Sequence, residues 1–70
     1  MEKMTPEEVR EEILSAIEQK RRPTIDWVTR EKRDLGENWR LYCEEAKQLE
    51  REGLVELRGH SSGLQFRHRR

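Results

Sequence analysis

Cys43 is the only strong nucleophile in the 70-residue chain, and His60 and His68 are its only imidazoles. A working cysteine needs a histidine within hydrogen-bond reach, a helix N-terminus or a dense positive field, and donors for an oxyanion. Cys43 stands between Tyr42 and Glu44, while both histidines belong to a later, alternating segment. It therefore reads as a half-buried structural residue. One cysteine makes neither an internal disulfide nor a cysteine-based zinc site, and two histidines across a turn lack a third ligand. The sequence predicts no catalysis, no metal and no cofactor.

What remains is recognition by cations. Lysines and arginines number 15 and carboxylates 15, for a net charge of zero, but they are unevenly spread. Residues 1–20, 21–36, 37–53 and 54–70 carry net −3, +2, −2 and +3. Two sets follow from spacing. Arg40, Lys47, Gln48 and Arg51 share the outward face of a helix; there Arg40 and Lys47 suit guanine or phosphate and Gln48 suits adenine. Arg58, His60, Arg67 and Arg69 gather in the basic end, opposed only by Glu56. Alternation puts Arg67 and Arg69 on one strand face, placed to touch one phosphate strand together. The plainer readings are a solvated helix face of i,i+4 pairs and an edge strand kept soluble by arginine. Trp27 and Leu41 lie off the inward stripes and are candidate anchors for a protein partner, with burial in the core as the plain alternative.

The elements that must position these groups are legible as periods. Thr5-Pro6-Glu7-Glu8 starts a helix: Thr5 caps, Pro6 suits the first position, and Glu8 completes a Thr-x-x-Glu box. Val9, Ile13, Ala16 and Ile17 then recur at helical spacing until Lys20-Arg21-Arg22 and Pro23. Ile25, Val28 and Leu35 fit a second helix, capped by Thr24 or Asp26 and ended by Gly36. Trp39, Tyr42, Ala46 and Leu49 form the stripe of a third, ended by Gly53. The expected helices run over about 6–21, 25–35 and 38–52. After Gly53 the period becomes two. Val55 and Leu57 alternate with Glu56 and Arg58, and Leu64, Phe66 and His68 with Gln65, Arg67 and Arg69. A turn over Gly59-His60-Ser61-Ser62-Gly63 makes this a hairpin near 54–58 and 64–68. The fold class expected is α+β, mainly α, in one domain over residues 1–70.

Leu49-Glu50-Arg51-Glu52-Gly53-Leu54-Val55, entered from a helix and left through a hairpin, resembles the end of the recognition helix in winged helix-turn-helix transcription regulators. The resemblance covers nearly the whole chain and implies three helices followed by a C-terminal β-hairpin wing. It departs from the family in its long second helix and in Trp39 and Tyr42, where smaller or β-branched residues are commoner. It implies a small DNA-binding module, a transcriptional regulator or accessory factor, with duplex DNA as partner. A lone module with few phosphate contacts binds weakly, so a homodimer or protein partner is expected as well. The rival class is a protein-interaction adaptor that docks on a larger enzyme or polymerase complex; the acid-rich helices suit it.

Composition narrows the rest. With 31% hydrophobic residues the chain fills one core layer and leaves nothing for a buried small-molecule cavity. No apolar run approaches the roughly 18 residues of a membrane span, and the N-terminus lacks a signal-peptide pattern. A cytoplasmic protein is expected, in keeping with its single cysteine.

Overall fold

The computed structural model describes residues 3–19 and 27–69, apart from the His60 side chain. Helix α1 (Pro6–Gln19) opens as its sequence dictates. The Glu8 amide donates to Thr5 Oγ1 at 3.2 Å and the Thr5 amide donates to Glu8 Oε1 at 2.9 Å, so the capping box is closed both ways. Val9, Ile13 and Ile17 are its buried face. The expected continuation to residue 21 and the caps at Thr24 and Asp26 lie outside the described residues.

The second helix is not where the periodicity placed it. Val28–Glu31 is a strand, β1, and only Lys32–Leu35 is helical, α2. Val28 and Thr29 are β-branched and favour extended backbone. In that conformation Val28 pairs with Phe66 and is buried. Gly36 follows at φ 53°, a left-handed value that a side chain resists. A 3₁₀ turn (Gly36–Asn38) leads directly into helix α3 (Trp39–Arg51), whose buried stripe is Tyr42, Ala46 and Leu49. Trp39, expected on that stripe, is only half-buried.

A Schellman arrangement ends α3. The Gly53 amide donates to the Glu50 carbonyl and the Leu54 amide to the Leu49 carbonyl, each at 3.0 Å, with Gly53 at φ 80°. The chain then enters β2 (Val55–His60) and β3 (Gly63–His68). The hairpin is tighter than expected: both strands run one or two residues further, and the loop is Ser61-Ser62 alone. β3 lies in the middle of a three-stranded antiparallel sheet ordered β1-β3-β2. The observed class is α+β, with two long helices and this sheet.

Alternation sorts the sheet into two faces. Val28, Leu64, Phe66 and Val55 face the helices and, with the stripes of α1 and α3, complete the core. Tyr42 is fully buried 6.1 Å from the Phe66 ring. Arg30, also inward, donates through Nη2 to Glu12 Oε1 at 2.9 Å and through Nε to Tyr42 Oη at 3.2 Å. One guanidinium thus joins α1, β1 and α3. Burial opposes its charge, but Tyr42 and Glu12 outweigh that and hold Arg30 firmly cationic. Burial pushes the Tyr42 phenol far above its ordinary range, with Arg30 pulling the other way. Among the described residues no helix is long and apolar enough to cross a membrane.

Candidate nucleic-acid interface

Helix α3 holds its outward residues clear of the core: Arg40, Glu44, Lys47, Gln48 and Arg51 are exposed. They are not equally available. Gln48 donates to Glu52 at 3.2 Å and accepts from Arg51 at 2.9 Å. Glu52 is in turn gripped by both terminal nitrogens of Arg10, one at 2.9 Å. The Arg10 hydrogen bond, then that of Gln48, draws the Glu52 carboxyl down to about 2. Gln48 and Arg51 therefore belong to a network that fastens the end of α3 to α1. Arg40 and Lys47 make no hydrogen bond or ion pair among the described residues.

The hairpin cations divide in the same way. Arg67 and Arg58 project from the sheet face turned away from the helices, where their guanidinium carbons lie 4.5 and 4.4 Å from the centre of the Trp27 ring. Arg67 also donates to Glu56 Oε2 at 2.8 and 3.0 Å. Register explains the pair, since Glu56 is directly opposite Arg67. The expectation that Arg67 and Arg69 would touch one phosphate strand together is not supported by this arrangement: Arg67 is engaged twice, while Arg69 is exposed beyond the strand. Both also stand at the root of the hairpin, and His60 at the tip is four residue steps along β2 from Glu56, about 13 Å. The side chain of His60 lies outside the described residues.

Trp27 is half-buried beneath those arginines, and Leu41 is half-buried against the core; neither stands out as a free anchor. Leu54 does, at 40% exposed, the one large apolar side chain so placed among the described residues. Its position was read as the first of the hairpin strand, which begins instead at Val55.

A third group forms at the tip. The Lys32 amide donates to the Ser62 carbonyl at 2.8 Å, so the hairpin loop is bonded to the start of α2. Beside that bond an open cleft of about 660 Å³ is lined by Glu31, Lys32, Arg33, Gly36 and Ser62. Lys32 and Arg33 are exposed; Arg33 donates to Glu31 at 2.6 Å. These two cations were missed because they were read as interior to a longer helix. On the other side of the tip, α3 and the hairpin enclose a groove of about 200 Å³ with Trp39, Cys43 and Lys47 on the helix wall. Burial pushes the Cys43 thiol up, with Lys47 and Lys32 opposing and Glu44 reinforcing. That is the reverse of what a nucleophilic thiolate needs. His68 has a buried Nδ1 without a partner, and no three metal-ligating side chains cluster among the described residues.

Cation placement thus singles out the end of the molecule where α2, the start of α3 and the hairpin tip meet. Comparison of the chain with protein-family models, curated proteins and solved structures finds no match in any of the three.

Proposed function

We propose that this chain is a winged-helix-type module that binds duplex DNA, as a regulator or accessory factor, with α3 as the helix presented to the major groove. The observation that carries this reading is the pair Arg40 and Lys47, exposed on α3 and without an ion pair among the described residues, beside a hairpin tip flanked by Lys32 and Arg33. The order α1-β1-α2-α3-β2-β3 and the strand order β1-β3-β2 suit it, as a helix pair followed by a hairpin does. In this arrangement Lys32 and Arg33 hold phosphates, and Arg40 and Lys47 reach base edges. The hairpin serves as a short, tied wing rather than a long projecting one.

Titration of labelled duplex DNA at several salt concentrations tests this. Three or so phosphate contacts give a log–log slope of about −3, and replacing Lys32 and Arg33 by alanine flattens it by about two units on every sequence alike. Arg40→Ala or Lys47→Ala should change sequence preference instead. Undetectable or salt-insensitive binding by the unaltered protein would sink the proposal.

A further inference from the structure

The inward stripe of β2, Val55 and Leu57, stops short at Gly59, where an added Cβ would meet nothing within 4 Å. That missing side chain is what leaves the groove open. Trp39 and Cys43 form one wall, Leu57 and Leu64 the other, and Lys47 stands at its edge. Metabolite pockets measure roughly 300–1,000 Å³. A groove of about 200 Å³ is too small for one and suits a single large apolar side chain. Across the hairpin tip the adjoining cleft bears Lys32 and Arg33, with Glu31 taken up by Arg33. Glu44 stands against the cations near Cys43, and Asp34 and Glu37 are exposed beside the cleft, so Lys47 and Lys32 rather than the net charge of this end are the contacts available to an anion.

We propose that this end of the molecule docks an acidic peptide segment of a partner protein, seating one large apolar side chain between Trp39 and Leu57 and its carboxylates on Lys47 and Lys32. The occupant is fixed by two complementarities: volume selects a side-chain anchor, and the cations on both sides of the tip select acidic flanks. The docking stands apart from DNA binding and is tested without DNA. Since Lys47 serves both, a duplex and such a segment compete where both are present.

The probe is a short glutamate-rich peptide with one central leucine. Its controls carry alanine in place of that leucine, or lysines in place of the glutamates. Alkylation of Cys43 in the full chain, followed by mass spectrometry, should slow roughly tenfold when the acidic leucine peptide stands at about ten times its Kd. The amides of Gly59 and Gly63 should shift in parallel, and added salt should weaken both effects. Neither control should protect. Gly59→Leu fills the groove from within and should abolish the peptide-induced amide shifts. Lys47→Glu, at an exposed position that leaves the fold intact, should weaken binding severalfold, while Lys47→Arg retains it. Unchanged alkylation up to about 1 mM peptide, equal protection by the alanine control, or undiminished shifts in both Gly59→Leu and Lys47→Glu overturns the proposal.

Discussion

A methyl group at position 63 would collide with the carbonyl oxygen of Arg30 and stand 3.1 Å from the Cα of Glu31. The chain therefore meets itself at Gly63, backbone against backbone, where β1 ends beside β3. We expect Gly63→Ala to cost about 2 kcal/mol, because only main-chain movement relieves the contact. Thermal unfolding measures it, and an unchanged midpoint would show that the two strands part freely there. Tyr42 is the second residue whose chemistry matters more than its size. Its hydroxyl accepts from Arg30 in a fully buried position, so Tyr42→Phe should destabilise by about 1 kcal/mol without changing the packing volume much. The neutral phenol is also the form the fold prefers. The folded pKa lies above the ordinary value of about 10, so its contribution is intact below pH 10 and declines as pH rises further. A stability profile in the alkaline range should therefore be flatter for Tyr42→Phe than for the unaltered protein.

At the scale of elements, α1 and α3 carry most of what could be read in advance. Ile13, Ile17, Tyr42 and Leu49 are buried as their spacing required, and the Thr5–Glu8 box is made as written. Thr5→Ala should cost about 1 kcal/mol, and Ile17→Ala or Leu49→Ala about 2–4 kcal/mol, as read by denaturant unfolding. If Leu49→Ala unfolds at the same denaturant concentration, the stripe is not the core. The strand over Val28–Glu31 was the failure, and its cause is physical. Ile25, Val28 and Leu35 satisfy a helical period, but what decides the conformation of Val28–Glu31 is β3, more than thirty residues later, whose inward Phe66 and Leu64 need a second neighbour. Had the segment been read with period two, Arg30 would have fallen on the inner face beside Val28, and its bonds to Glu12 and Tyr42 would have been open to suspicion. The candidate interface was half legible for the same reason. Outward positions on α3 follow from one helix, so the exposure of Arg40 and Lys47 could be read in advance. The engagement of Gln48 and Arg51 was open to a local reading, since Gln48–Glu52 and Arg51–Gln48 are i,i+4 and i,i+3 pairs, whereas the Arg10–Glu52 pair that fastens them to α1 spans 42 residues and no local pattern contains it. The Arg67–Glu56 pair was within reach, since hairpin register alone implies it.

For the whole molecule, the Arg10–Glu52 pair makes a prediction about acid. Glu52 has its folded pKa drawn to about 2, below the roughly 4.3 of a free glutamate. Folding therefore gains from this carboxylate above pH 4.3, and the gain disappears as pH falls toward 2. Both side chains are about one-third exposed, so solvent screens the pair and the effect is modest. The melting temperature should fall less steeply over that range in Glu52→Gln, while at neutral pH the variant should be slightly the weaker. Equal slopes would remove the pair from the acid response.

The backbone amide of Met4 donates to Asn38 Oδ1 at 2.8 Å, and Asn38 itself is only 1% exposed. At the opposite terminus the Arg69 amide donates to the Leu54 carbonyl at 3.2 Å, beside the root of the hairpin. The two chain ends are therefore moored at opposite ends of α3: one against the turn that precedes Trp39, the other just past the glycine that follows Arg51. Anything joined ahead of Met4 leaves the molecule beside the cationic tip, and anything joined after Arg69 leaves it on the far side. A bulky fusion at the front therefore starts at the Trp39 end of α3 and the same fusion at the back at the Arg51 end, so the choice of which end to tether decides which end of that helix is crowded.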